Sequence, residues 1–211
     1  MLSPRRDDAG FTLIELLIAV VILGVITVPL ANLVIGVFAN SDATSTRMVL
    51  SHDAQISASF FGQDVAGMGT RDYSGQIANG TVPFQQSVQL NAAYNADGHT
   101  CGTSATPVAA LRLLADDWDD SQTPPVRNVD VVAYYLVPVG GIDELHRLKC
   151  LPSGSTDVVL AHNVDPATLS VTCSSTCTST SVPQWVKLSF TVTAPSADPY
   201  PITLTGQRRQ S

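Results

Sequence analysis

The chain is poor in the residues from which surface helices are usually built: two lysines and two glutamates stand among 211 residues. Its acidity rests on aspartate, and serine and threonine abound. Beyond an N-terminal helix this composition favours turns and strands. Cationic side chains are few and scattered. The net charge is −7, and Arg208-Arg209 is the only basic pair beyond Arg5-Arg6. Binding to a nucleic-acid duplex through its phosphates requires lysine and arginine, so nucleic acid is not an expected partner. Local signatures of catalysis are also missing. His52, His99, His146 and His162 show no His-x-x-x-His spacing, Gly-x-Ser-x-Gly does not occur, and no glycine-rich loop carries a phosphate-binding lysine. No enzyme is expected. The length suits one anchor and one modest globular domain.

What the chain does have is a long apolar run. From Phe11 to Phe38 Glu15 is the only ionisable side chain. At ~1.5 Å per residue this run makes a helix longer than the ~30 Å hydrocarbon core of a bilayer, and it reads as a membrane span. A charge inside a span costs on the order of 2.5–3.5 kcal/mol, so Glu15 calls for a partner. It lies one helical turn after Phe11. A cut between Gly10 and Phe11 would place an α-amino cation on Phe11, able to pair with Glu15 of the same or a neighbouring copy. The plainer alternative is a signal anchor whose glutamate lies near the interface. Pro29 removes the backbone hydrogen bond to Val25. It either loosens the helix or is tolerated as an ordinary membrane-helix proline.

After Asn40-Ser41-Asp42 the composition turns polar. Leu50, Ala54, Phe61, Val65 and Met68 keep helical spacing, which predicts an amphipathic continuation to about Gly67, suited to packing on a sheet. The expected organisation is residues 1–10 as a leader, 11–38 as the span, 39–68 as the amphipathic continuation and 69–211 as a β-rich domain. Residues 70–106 read as a long connection with a short strand at Val88–Leu90. Strands are expected at Val108–Leu114, Val129–Val137, Glu144–Leu151, Leu169–Cys173, Trp185–Val192 and Tyr200–Thr205. Short connections favour an antiparallel sheet, giving an α+β fold with a helix against a sheet. Trp185 reads as a core aromatic and Trp118 as a loop anchor.

Cys101, Cys150, Cys173 and Cys177 all follow the span, in a compartment where disulfides persist. Four cysteines allow three connectivities; the expected one joins Cys173 to Cys177 and Cys101 to Cys150. Zinc, held by the close cysteine pair or by His146 with Cys150, is the alternative. Asp116, Asp117, Asp119 and Asp120 flank Trp118. They offer the oxygen ligands calcium takes but lack the Asp-x-Asp-x-Asp-Gly spacing, and Gln122-Thr123-Pro124-Pro125 favours reading them as a solvated acidic loop. Asn95-Ala96-Asp97-Gly98 reads as a turn.

Gly10-Phe11-Thr12-Leu13-Ile14-Glu15 and the apolar tail to Gly24 closely resemble the N-terminal signature of type IV prepilins and type II secretion pseudopilins. The resemblance implies cleavage after Gly10 by a prepilin peptidase and N-methylation of Phe11. It implies docking through Glu15, by pairing with the Phe11 amine of a neighbouring subunit in a helical filament. It also implies a helix breaker at Pro29, a helix packed on an antiparallel sheet, and calcium in some pseudopilins. Other pilin or pseudopilin subunits, the membrane and an inner-membrane assembly platform are the implied partners. The organisation is most similar to the larger minor subunits, the J-type pseudopilin or the W-type minor pilin. Asp7 and Asp8 offset Arg5 and Arg6 in the leader. Acidic residues count little in setting orientation, so a cytoplasmic N-terminus and an extracytoplasmic C-terminal domain are expected. The rival class is a membrane-anchored exported binding module or enzyme that does not polymerise.

Overall fold

The computed structural model describes residues 12–74, 80–194 and 197–209. A long helix, α1 (Leu13–Gly67), precedes β1 (Val88–Ala92), β2 (Ala109–Asp119), β3 (Val126–Val139), β4 (Ile142–Leu151), β5 (Gly154–Cys173), β6 (Trp185–Ala194) and β7 (Ala197–Gln207). The strands form one sheet in chain order, each antiparallel to the next. The fold is thus α+β. The chain divides into two units, Met1–Ser45 and Thr46–Ser211, and the second holds the whole sheet.

Within the second unit, period-3.6 spacing on α1 meets period-2 spacing on the strands. Leu50, Phe61 and Val65 of α1 and Met68 just after it are buried, with Ala54 packed beside them. They pack with Leu111, Leu113, Val132, Tyr134, Leu145, Val186, Leu188, Phe190, Val192 and Leu204 of the sheet. Gly206 marks the closest approach. A Cβ there would stand 2.4 Å from Cβ of Val65, so the strand needs glycine where the helix presses on it. Ser57 of α1 donates its hydroxyl to the Leu160 carbonyl at 2.9 Å.

The opposite face of the sheet has its own smaller core: Leu114, Val131, Ala133, Tyr135 and Leu148, together with Cys101 from the segment after β1. Arg112, fully buried, holds that segment down. Its guanidinium donates to Gln89 Oε1 at 2.8 Å and to the carbonyls of Ala93, Tyr94, Ala96 and His99. Burial lowers the pKa of Arg112, and the charge of Asp97 opposes that shift. The long connection expected over residues 70–106 is therefore anchored; its expected strand at Val88–Leu90 is present within β1, and a short 3-10 turn follows at Ala96–Gly98.

Four expectations need correction. First, β5 is a strand of 20 residues, of which only the end, Leu169–Cys173, shows a strand pattern. Its first half pairs with β4 and its second with β6. Register shifts, a positive φ of 55° at Asn163, and Pro166 break the alternation in between. Second, Asp116, Asp117 and Asp119 are not in a loop. They continue β2, pairing with Val129, Asn128 and Val126, and only Asp120 enters the turn. Third, Trp185 is half-buried, because Val186, Leu188 and Phe190 take the inward positions of β6; Lys187 lies 4.9 Å from its ring centre. Trp118 likewise belongs to β2 and not to a loop; it is exposed and edge-on to Tyr73.

Candidate functional site

Gly10 and Phe11 lie outside the described residues, which begin at Thr12. Thr12 and Glu15 form a reciprocal cap on α1. The Glu15 N–H donates to Thr12 Oγ1 at 3.3 Å, and Glu15 Oε2 accepts from the Thr12 N–H at 3.3 Å and from its hydroxyl at 3.2 Å. This is the Thr-x-x-Glu capping box. The carboxylate also sits where the helix dipole favours negative charge. Glu15 is thus held beside the backbone that leads directly to Phe11, and its carboxylate stays exposed.

From Leu13 to Phe38 the large apolar side chains stand bare, from 48% exposed at Val34 to 82% at Leu13. This part of α1 is long and apolar enough to cross a membrane. Such a surface has to be covered by lipid or by other apolar helices. Pro29 lies inside the helix, and Thr27 returns its hydroxyl to the Leu23 carbonyl at 2.6 Å.

In the second unit the sequence reading missed a buried polar cluster. Asp64 on α1 accepts two hydrogen bonds from Arg147 of β4, at 2.7 and 2.6 Å, and one from the Tyr134 hydroxyl of β3 at 2.5 Å. The side chains of Asp64 and Arg147 are 5% and 7% exposed. Phe60 stacks under the guanidinium, with the ring centre 4.8 Å away. Burial raises the Tyr134 pKa well above its ordinary value, and the Asp64 charge adds to the shift. The cluster ties the helix to the sheet at the point where apolar packing gives way to charge.

A second chain of polar groups runs from His162 to Tyr135. His162 Nδ1 lies 3.1 Å from Asp53 Oδ2 on α1, and its Nε2 lies 3.8 Å from Glu144. His146 lies between Glu144, at 3.4 Å, and Asp157, at 3.1 Å. Asp157 also accepts the Tyr135 hydroxyl at 2.9 Å; burial, then that bond, raises the Tyr135 pKa. Each histidine stands between carboxylates, an arrangement that orients the rings. His99 is separate, and burial followed by the nearby Arg112 lowers its pKa.

The cysteines form Cys101–Cys150 and Cys173–Cys177 bridges. All four sulfurs are thereby committed, and His146 contacts carboxylates instead of Cys150. Of the four clustered aspartates, Asp116 binds Arg127 at 2.9 and 2.6 Å and the Arg71 N–H at 3.0 Å, while Asp119 accepts from Ser121 and Gln122. Among the described residues no three His, Cys, Asp or Glu side chains are placed to hold a metal ion.

The family model for the prokaryotic N-terminal methylation motif matches residues 5–31. No curated protein and no solved structure matches the chain. The match takes in the capped glutamate and the exposed apolar stretch of α1 as far as Ala31, and stops short of the sheet-forming unit. The chain therefore carries the N-terminal methylation motif of the type IV prepilin and pseudopilin family.

Proposed function

We propose that this chain is a minor pilin or pseudopilin, a structural subunit of a type IV pilus or type II secretion pseudopilus. A prepilin peptidase would cleave it after Gly10 and N-methylate Phe11. The processed subunit would wait in the membrane through Phe11–Phe38, N-terminus cytoplasmic and sheet outside, and then enter a filament on an inner-membrane assembly platform.

The observation that carries this reading is the coincidence of the motif with a bare apolar helix. The motif match at residues 5–31 takes in the first part of α1, whose large apolar side chains are exposed, while Leu50, Phe61 and Val65 farther along the same helix pack in the core of the sheet-forming unit. A helix exposed in this way can exchange lipid for like helices of neighbouring subunits with little change in apolar burial. Chain length and the late strand pair, β6 with β7, are the features that favour the larger, minor type within this reading.

The test is Glu15→Ala in a host that assembles the filament, read by cross-linking to the other subunits. The variant is expected to insert in the membrane and form its disulfides, yet lose most cross-links. Undiminished cross-linking would count against docking through Glu15. Absence of cross-links in the unmutated protein would favour an anchored module that does not polymerise.

A further inference from the structure

The end of α1, the residues just after it and the C-terminal arginines enclose a hollow of about 330 Å³. Arg71, Arg208 and Arg209 line it, with Tyr73, Phe84 and Trp118 between them. Arg71 and Arg208 both stack on Phe84, their guanidinium carbons 4.2 and 4.8 Å from the ring centre. Arg127 stacks on Tyr73 at 4.8 Å, and Tyr73 meets Trp118 edge-on at 5.5 Å. Trp118 and Tyr73 are 43% and 46% exposed.

The described residues leave this concentration of cations largely without counter-charge. Among the described residues Asp116 is the only carboxylate lining the hollow. Its oxygens are already engaged by the Arg127 side chain and the Arg71 backbone N–H. Among the described residues no ion pair joins Arg71, Arg208 or Arg209 to a carboxylate. The Nε–H of Arg208 is buried without an acceptor. Arg71 spends one N–H on the Val82 carbonyl at 2.8 Å, and the remaining guanidinium donors, held side by side in a molecule of net charge −7, face an outside anion. The aromatic surface between them adds apolar contact. Arginine, tyrosine and tryptophan together are the residue types that anchor protein interfaces.

The geometry points to an acidic peptide segment of a protein partner as the occupant: carboxylates on Arg208, Arg209 and Arg71, and an apolar side chain against Trp118 and Tyr73. A long polyanion fits less well. It would meet the repulsion of the remaining negative surface, whereas a segment with a few carboxylates engages only the local cations.

The test uses the full chain in detergent and fluorescence anisotropy of a labelled hexapeptide of alternating glutamate and phenylalanine. Saturable binding is expected. It should weaken about tenfold or more in Arg209→Glu, whose side chain is exposed, and weaken also in Trp118→Ala. Lys187→Glu, on β6 and outside the hollow, should leave it unchanged, and unfolding temperatures of all variants show that each is folded. Three results would overturn the proposal: no saturable binding, binding that Arg209→Glu leaves intact, or binding of single-stranded oligothymidylate in preference to the peptide.

Discussion

Removing the Asp64 carboxylate leaves Arg147 as a buried cation with no counterion and frees the Tyr134 hydroxyl. Asp64→Ala is therefore expected to cost about 3–5 kcal/mol, measured by denaturant unfolding. Replacing Asp64, Arg147 and Tyr134 together by apolar residues of similar size should cost much less. Asp130 behaves in the opposite sense. Burial raises its pKa, nearby Asp117 raises it further, and Lys149, 3.9 Å away, only partly offsets this. Its folded value lies above the unfolded one, so the charged form costs stability at neutral pH. That cost fades as the pH falls through the folded value. Asp130→Asn should thus raise the unfolding temperature at pH 7, with the gain vanishing near the ordinary carboxylate range of ~3.9. Neither residue announces itself in the sequence. Asp64 sits beside Gln63, and an isolated aspartate on a helix reads as solvent-facing. Arg147 alternates with Leu145 and Lys149 on one face of β4, a pattern too mixed to reveal which face is buried. Their meeting across 83 residues is a product of tertiary structure.

At the scale of elements, Gly206 sets how closely α1 approaches β7. Gly206→Ala forces a methyl group onto Val65, whose β-branched side chain has little rotamer freedom in a helix. A loss of about 1–3 kcal/mol is expected in thermal or denaturant unfolding. The Cys101–Cys150 bridge closes a loop with a sequence separation of 49 residues, beside the smaller core. Replacing both cysteines by alanine should cost on the order of 4 kcal/mol on the chain-entropy view, and loosen the segment that Arg112 holds. Elements with clean periodicity were legible in advance: the inward stripe of Leu50, Phe61, Val65 and Met68, and Val186, Leu188, Phe190 and Val192 on β6. The first half of β5 was hidden because bulges displace its pattern, and a strand that changes partners midway has no single inward face. The extension of β2 through Asp116–Asp119 was hidden by charge. Cross-strand pairing with Arg127 makes an acidic run acceptable in a strand, and that partner lies beyond two prolines.

For the whole molecule, the two units were unequally legible. The N-terminal unit is written in local code: Gly10-Phe11, the capping pair Thr12 and Glu15, and an unbroken apolar run, features whose spacing alone carries their meaning. The candidate docking hollow is written in no local code at all. Arg71, Trp118 and Arg208 come together only once the sheet has formed; the sequence shows Arg208-Arg209 as a basic pair, but no spacing joins that pair to Arg71 or to Trp118. The proposed processing after Gly10 is tested by the intact mass and N-terminal sequence of the membrane-extracted protein, co-expressed with an active prepilin peptidase. The expected product begins at Phe11 and carries one additional methyl group on its α-amine. A chain still beginning at Met1 in the presence of that peptidase would show that the motif is not processed and would rule out the pilin pathway.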